Sequence, residues 1–180
     1  GTAVAAIGLA FPVVALVQAG AIYAPFVGTQ VVVSQRVGGE DQRGARLSLF
    51  NGLVLAIVLG GVLGLLVFVA AQPLIDVLTA TRPQAIAGAV PQMAAGYLGV
   101  LALGMPLLAL SDTTEAGFIG WGDSRAALYM NLTAVVINVV LDPILIFGWG
   151  GAPALGIEGA ALATVIGYSV ALGLGLAFVA

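Results

Sequence analysis

The sequence predicts an all-α membrane protein, a polytopic bundle of five transmembrane helices. Of its 180 residues, 61% are hydrophobic and only 7% are charged, against roughly 25% charged in a typical soluble domain. Because so few charges cannot cover the surface of a soluble domain of this length, most of that surface must face lipid. Five long windows that contain no charge, or only one or two acids, give the number of helices.

Each window is long enough for a helix of about 20 residues, which crosses a hydrocarbon core of roughly 30 Å. The first window carries no charge before Arg36, the third encloses Asp112 and Glu115, and the fourth encloses Asp142. The predicted helices lie near 3–33, 46–72, 91–119, 126–148 and 156–180. No soluble linker separates them, so residues 1–180 are expected to form one bundle.

Prolines and glycines within these windows predict local features of the helices. Gly60 and Gly64 have the GxxxG spacing that lets two membrane helices approach closely, which we interpret as ordinary packing. A proline inside a span removes one N–H and bends the helix. The prolines in predicted spans are Pro12, Pro25, Pro106 and Pro143.

The arginines predict the orientation of the bundle. The loops after the first and third helices contain Arg36, Arg43, Arg46 and Arg125. The loop after the second helix contains only Arg82, and the last loop contains no basic residue. Because basic residues favour cytoplasmic loops, the loops near 34–46 and 120–126 are predicted to be cytoplasmic. The first helix then enters from outside, which suggests a further helix upstream in a longer protein.

The fourth helix carries the most informative polar residues, in the stretch INVVLDPILIFG. Asn131, Asn138 and Asp142 follow each other at i, i+7 and i+11 and so share one stripe of the helix. An ionised carboxylate in a membrane costs a few kcal/mol or more, so Asp142 is expected to face a cavity inside the protein. Pro143 leaves the carbonyl near Val139 without its donor, and we interpret it as a hinge.

This stripe is chemically suited to a proton or a small hard cation such as sodium, with Asp142 and Asn138 as its ligands. Ala160, Thr164 and Tyr168 share a face of the fifth helix, so the Thr164 hydroxyl could add a further oxygen. The alternative is a hydrogen-bonded pair between helices that has no role in transport.

Asp112 and Glu115 form an acidic pair in the third helix, one turn apart. Two acids at this depth indicate a wet cavity that attracts cationic substrates or carries protons. The alternative is a pair at the cytoplasmic end of the helix whose side chains reach towards water.

An enzyme is not expected. The sequence lacks cysteine and histidine, which excludes disulfides, cysteine nucleophiles and the usual zinc and haem ligands. Gly120 to Asp123 match the GxGD signature of intramembrane aspartyl proteases. However, Asp123 lies in a basic loop, and the Tyr-Asp dipeptide that carries the second catalytic acid in that family is missing. No serine-hydrolase, P-loop or dinucleotide fingerprint is present.

Three stretches together resemble the multidrug and toxic compound extrusion (MATE) family of transporters. They are GTQVVVSQRVGGEDQRGA, GWGDSRAAL, and INVVLDPILIFG followed by LGIEGAALAT. The resemblance implies a twelve-helix antiporter in the cell membrane that exports drug-like compounds against proton or sodium entry. The acidic pair favours cationic compounds among these substrates. The resemblance implies no other cofactor and no nucleic acid partner.

On that resemblance, the five helices correspond to helices two to six of the N-terminal lobe. The family's cation site then maps onto Asn138, Asp142, Thr164 and the carbonyl of Ala160. Its remaining ligand, an aspartate on helix one, would lie upstream, and the other lobe would complete the transporter. In the family an asparagine often stands where Glu115 falls here. The alternatives are a flippase for lipid-linked oligosaccharides of the same superfamily and a purely structural membrane subunit.

Overall fold

A computed structural model describes residues 2–80 and 88–179 of the chain. Its α-helices are α1 (Thr2–Gln18), α2 (Ala24–Gly38), α3 (Gln42–Ala80), α4 (Val90–Gly120), α5 (Ser124–Phe147) and α6 (Ile157–Val179). Together α1 and α2 form one span, and each of the other helices forms another. Within the described part, five segments are therefore long and apolar enough to cross a membrane, and the predicted all-α bundle is confirmed.

The first span contains a π-helical segment, Ala19–Tyr23, between α1 and α2. Pro25 follows at once, in the first turn of α2. Because proline has no N–H to donate to the carbonyl one turn back, the regular series of backbone hydrogen bonds is interrupted there and a wider turn forms. The irregularity predicted at Pro25 is thus present, whereas α1, α4 and α5 continue through Pro12, Pro106 and Pro143.

Helix α3 is longer than predicted at both ends. At its start, Asp41 Oδ1 accepts a hydrogen bond from the Gly44 N–H at 2.8 Å, and Asp41 Oδ2 pairs with Arg36 at 2.7 Å. The Gly44 N–H first, and then the Arg36 guanidinium, lower the pKa of Asp41 below its usual value. At the other end the helix passes Pro73 and includes Asp76, whose carboxylate accepts from Gln72 at 2.9 Å.

Helix α4 lies at the centre of the bundle and packs most closely against α3. A Cβ at Gly60 would lie 2.9 Å from the Pro106 Cα, and one at Gly64 would overlap the Ala102 carbonyl oxygen. The two glycines of the GxxxG spacing therefore let the backbones of α3 and α4 touch, as predicted.

Helices α5 and α6 form a second closely packed pair. Asp123 caps α5 by accepting from the Ala126 N–H at 3.1 Å, and Gly148 ends it in the left-handed conformation, with φ of 76°. The chain then folds back over the end of α5, where the Leu155 N–H donates to the Leu145 carbonyl at 2.8 Å. In α6, Gly167 lies directly against the Ala134 carbonyl of α5.

The two arginine-containing turns meet at one end of the bundle, which we call the arginine-rich end. Its members are Arg36, Arg43, Arg46 and Arg125. The Trp121 indole N–H donates to Gln42 Oε1 at 3.1 Å, and Gly120 packs against Val33. The predicted loop with Arg82 lies outside the described residues.

Candidate functional site

The candidate site is the contact between Asn138 and Asp142 of α5 and Thr164 of α6. One helical turn separates Asn138 from Asp142, and the Asn138 amide reaches the Thr164 hydroxyl at 3.0 Å. The helices can approach this closely because α6 presents glycines and alanines to α5. The structure thus brings together the three side chains that the sequence placed in one site.

Two orientations of the Asn138 amide fit this contact, and they pair different atoms. In the first, Nδ2 donates to the Thr164 hydroxyl at 3.0 Å, and that hydroxyl donates to the Ala160 carbonyl at 3.0 Å. The amide oxygen then faces Oδ2 of Asp142, which is an acceptor when the carboxylate is ionised.

In the second orientation every polar atom of the amide has a suitable partner. Nδ2 donates to Asp142 Oδ2 at 3.2 Å, and Oδ1 accepts from the Thr164 hydroxyl at 3.0 Å and from the Thr164 N–H at 3.1 Å. An ionised Asp142 therefore favours the second orientation, because the first would set two acceptors against each other.

The other carboxylate oxygen of Asp142 has no hydrogen-bond partner among the described residues. Within residues 2–80 and 88–179, Asp142 Oδ1 is one of two buried side-chain atoms without a hydrogen bond, and the other is Thr113 Oγ1. A buried acceptor left unpaired costs about 1–3 kcal/mol, more when it is charged. Asp142 Oδ1 is thus a free acceptor at the contact between α5 and α6.

A polar cavity of about 270 Å³ lies next to this contact, and it contains both predicted acids. Asp112 and Glu115 of α4 line it together with Thr164 and Tyr168 of α6 and Asn131 of α5. Both carboxyl groups are partly buried. The acidic pair therefore faces the interior of the bundle rather than the water at its end.

A second cavity, of about 220 Å³, adjoins the first. It is lined by Asn138 and Ala134 and shares Asn131, Thr164 and Tyr168 with its neighbour. The stripe of Asn131 and Asn138 predicted from the sequence thus lines these two adjoining cavities. Asp142 lies one turn beyond Asn138, in contact with the Asn138 amide.

Sequence reasoning missed the contribution of the first span to the cavity. Gln18, Tyr23 and Phe26, on either side of and within the π-helical segment, line it opposite the acids. A signal was present, since Gln18 is the first amide side chain in an otherwise apolar span. Tyr168 was placed on the face of Thr164 but not in the site, and it lines the same cavity as Asp112 and Glu115.

Neither Pro143 nor Asp123 takes part in the contact that forms the candidate site. Helix α5 runs through Pro143 to Phe147, so the role of Pro143 as a hinge stays a prediction. Asp123 is exposed and caps α5 at the arginine-rich end, which gives the aspartate of the GxGD match a structural role. In the described ranges, no group of three His, Cys, Asp or Glu residues is arranged to hold a metal ion.

Comparison with known proteins gives one consistent result. The profile of the MatE family matches residues 1–144. The chain is 33% identical to the FAD transporter of Shewanella oneidensis over 96% of its own length and 36% of that protein's.

Two solved structures have the same fold. A crystal structure of MATE in complex with MaL6 matches with a TM-score of 0.86 and 28% identity over 99% of this chain and 37% of that one. An inward-facing multidrug resistance MATE family transporter of the MOP superfamily matches with a TM-score of 0.78 and 29% identity, over 98% and 38% of the two chains. The chain therefore spans a little over a third of the length of each of these relatives.

Proposed function

Because the chain belongs to the MatE family of multi-pass membrane transporters, we propose that it is part of an antiporter that exports drug-like organic compounds. Export would be driven by the entry of protons or sodium ions. In this proposal the five spans are helices two to six of the N-terminal lobe of a twelve-helix transporter in the plasma membrane. The arginine-rich end would face the cytoplasm.

The observation that carries this proposal is the unpartnered, buried Oδ1 of Asp142, one helical turn from Asn138, which lines a cavity. A buried carboxylate without a cationic partner is costly in a membrane, and such groups mark proton and ion pathways. Within the described residues, Arg36 and Asp41 form the one ion pair, far from Asp142 along the chain. A transported proton or cation would therefore be the counter-charge of Asp142.

The Asn138 amide offers a way to couple this charge to the packing of α5 on α6. When Asp142 is ionised, the amide donates to it and accepts from Thr164. When Oδ2 of Asp142 carries a proton, that proton can be donated to the amide oxygen, and Nδ2 turns to the Thr164 hydroxyl. Thr164 then donates to the Ala160 carbonyl. Ion uptake would thus rearrange hydrogen bonds between the two helices and bias the equilibrium between two conformations.

The same contact supports a distinction between the two coupling ions. A hard cation takes only oxygen ligands, so sodium at Asp142 would require the Asn138 oxygen, the Thr164 hydroxyl or the Ala160 carbonyl to face it. With Asp142 ionised, the amide places its N–H on that side instead. A proton needs no such rotation before it binds, and the proton is therefore the first of the two ions to test.

We assign the substrate to the cavity that holds Asp112 and Glu115. Two acids, with the aromatic rings of Tyr23, Phe26 and Tyr168 around them, suit an organic cation with an apolar body. In the described part of the chain, no arginine lines this cavity, so it offers no counter-charge to an anionic head group or to a dinucleotide. This favours a cationic substrate over a lipid-linked oligosaccharide and over FAD, the compound named for the Shewanella oneidensis relative.

Transport in proteoliposomes tests the proposal. The full-length transporter would be reconstituted into liposomes that are loaded with a cationic dye. Dye exchange would be driven by a pH gradient or by a sodium gradient in separate experiments. Asp142→Asn should abolish the response to the coupling ion, whereas Asp123→Asn, which keeps a capping side chain, should retain it. Efflux at the wild-type rate in Asp142→Asn would disprove the assignment, and uptake of FAD but not of the dye would disprove the substrate class.

A further inference from the structure

We propose that a groove between α3, α4 and the start of α5 binds an anionic phospholipid. The lipid phosphate would pair with Arg46, and an acyl chain would lie along the apolar floor of the groove. This site is separate from the cavities described above and adds a membrane lipid as a specific partner.

The groove has a volume of about 640 Å³. Its floor is apolar, with Leu49, Phe50 and Leu53 of α3 facing Phe118 of α4. Phe50 is 62% exposed, so its ring is available to a chain lying in the groove. Each methylene group of an acyl chain that is buried against such a surface adds to the binding free energy.

Arg46 lies at the rim of this groove and has no carboxylate partner. The ion pair at the arginine-rich end joins Arg36 to Asp41, and Arg46 forms none with any residue that the structure describes. Asp123 also lines the groove, and its carboxylate accepts from the Ala126 N–H at 3.1 Å rather than pairing with Arg46. An unpaired guanidinium above an apolar groove at a membrane surface is the arrangement that binds a lipid phosphate.

Trp121 marks the level of the lipid head groups at the same rim. It also lines the groove, and its indole N–H donates to Gln42 Oε1 at 3.1 Å. Tryptophan concentrates at the membrane interface because its ring is apolar and its N–H is polar. Arg46, Trp121 and the apolar floor thus match the phosphate, glycerol and acyl regions of a phospholipid in order.

The position of the groove on α4 favours lipid over another protein segment. The groove and the acidic cavity lie on different sides of α4. At 3.6 residues per turn, about 140° around the helix separates the mean direction of the cavity residues Asp112 and Glu115 from that of the groove residues Thr114, Gly117 and Phe118. The rest of the transporter must close over the polar cavity, and the groove faces away from it. The outward face of a membrane bundle is covered by lipid.

Quenching of Trp121 by brominated lipids tests this proposal in the full-length transporter. All other tryptophans would be replaced by phenylalanine, and the protein would be placed in phosphatidylcholine vesicles with increasing brominated phosphatidylglycerol. Arg46→Gln should weaken the preference for phosphatidylglycerol about fivefold, and Arg46→Lys should keep most of it. Arg125→Gln is the matched control, because Arg125 is exposed at the same end and does not line the groove.

Any one of three other results would overturn the proposal. Equal losses in Arg46→Gln and Arg125→Gln would show only a general surface potential. Absence of quenching in the otherwise unchanged protein would mean that a protein segment covers the groove. Relief of quenching by millimolar inorganic phosphate alone would mean that the site takes free phosphate and not a lipid.

Discussion

The Asn138 amide lies 3.2 Å from Oδ2 of Asp142 and 3.0 Å from the hydroxyl of Thr164 on the neighbouring helix. This one amide therefore joins the Asp142 carboxylate to the interface between α5 and α6. Any change in the charge of Asp142 changes which atom the amide should present to it. The relationship leads to predictions for each member of the contact and for the cavity beside it.

Thr164 should be needed for its hydroxyl. Thr164→Val keeps the shape of the side chain but removes the O–H donor to the Asn138 oxygen, which still accepts from the Thr164 N–H. The loss is therefore that of one hydrogen bond, about 0.5–1.5 kcal/mol. We expect ion-driven efflux in proteoliposomes to fall on the order of tenfold, since this is the state with Asp142 ionised. Thr164→Ser, which restores the donor, should recover most of the activity. Equal losses in both variants would point to packing and not to the hydrogen bond.

Asp112 and Glu115 should determine the affinity for cationic substrates. Asp112→Asn combined with Glu115→Gln removes both negative charges from the cavity with little change in volume. The KM for a cationic dye should rise about tenfold or more, because charge pairs in a partly buried site contribute strongly. The KM for a neutral substrate of similar size should change less than twofold. A similar rise for both substrates would contradict a charge-based role.

Gly64 should be required for the contact between α3 and α4. Gly64→Ala places a methyl group on the Ala102 carbonyl oxygen, and such overpacking costs about 1–3 kcal/mol. Gly61→Ala is the matched control, because nothing lies within 4 Å of a Cβ there. Thermal unfolding of the purified transporter should show a lower midpoint for Gly64→Ala alone. Equal midpoints would contradict the close approach.

Asp41 should make the turn before α3 sensitive to acid. Its pKa is lowered in the folded state by the Gly44 N–H and the Arg36 side chain. The stability it contributes is therefore fully present above the unfolded pKa, near 3.8, and is lost as the pH falls through the lower folded value. The unfolding midpoint of Asp41→Asn should therefore approach that of the unmodified protein as the pH is lowered below 3.8. A difference between the two midpoints that stays the same at every pH would contradict this role of Asp41.

Much of the fold could be predicted from the sequence, because charged residues are largely excluded from the hydrocarbon core of a membrane. Five windows with few or no charges predicted five spans, and the GxxxG spacing predicted a real backbone contact between α3 and α4. The prediction of 46–72 for α3 was too short at both ends, because it followed the stretch with few charges, whereas the helix also includes Arg43, Pro73 and Asp76. In the structure these residues continue the helix beyond the length that the hydrocarbon requires.

The site was predicted from α5 because an ionised carboxylate at that depth is costly and therefore marks a position that binds or carries an ion. The stripe from Asn138 to Asp142 could be read from helical periodicity alone. The opposite wall of the cavity could not, since Gln18, Tyr23 and Phe26 reach it only through the π-helical turn. No local pattern in the sequence places that turn against α4, because the contact depends on how three helices pack.

Release of the coupling ion by substrate is the measurement that tests the role of Asp142 most directly. The purified full-length transporter, in weakly buffered detergent at several pH values, would receive a saturating cationic substrate while released protons are counted, with sodium release measured in parallel. We predict ion release from the wild type and from the Asp123→Asn control, and at least a fivefold smaller release from Asp142→Asn at equal substrate occupancy. Equal release from Asp142→Asn and the wild type would contradict the proposal that Asp142 carries the exchanged ion.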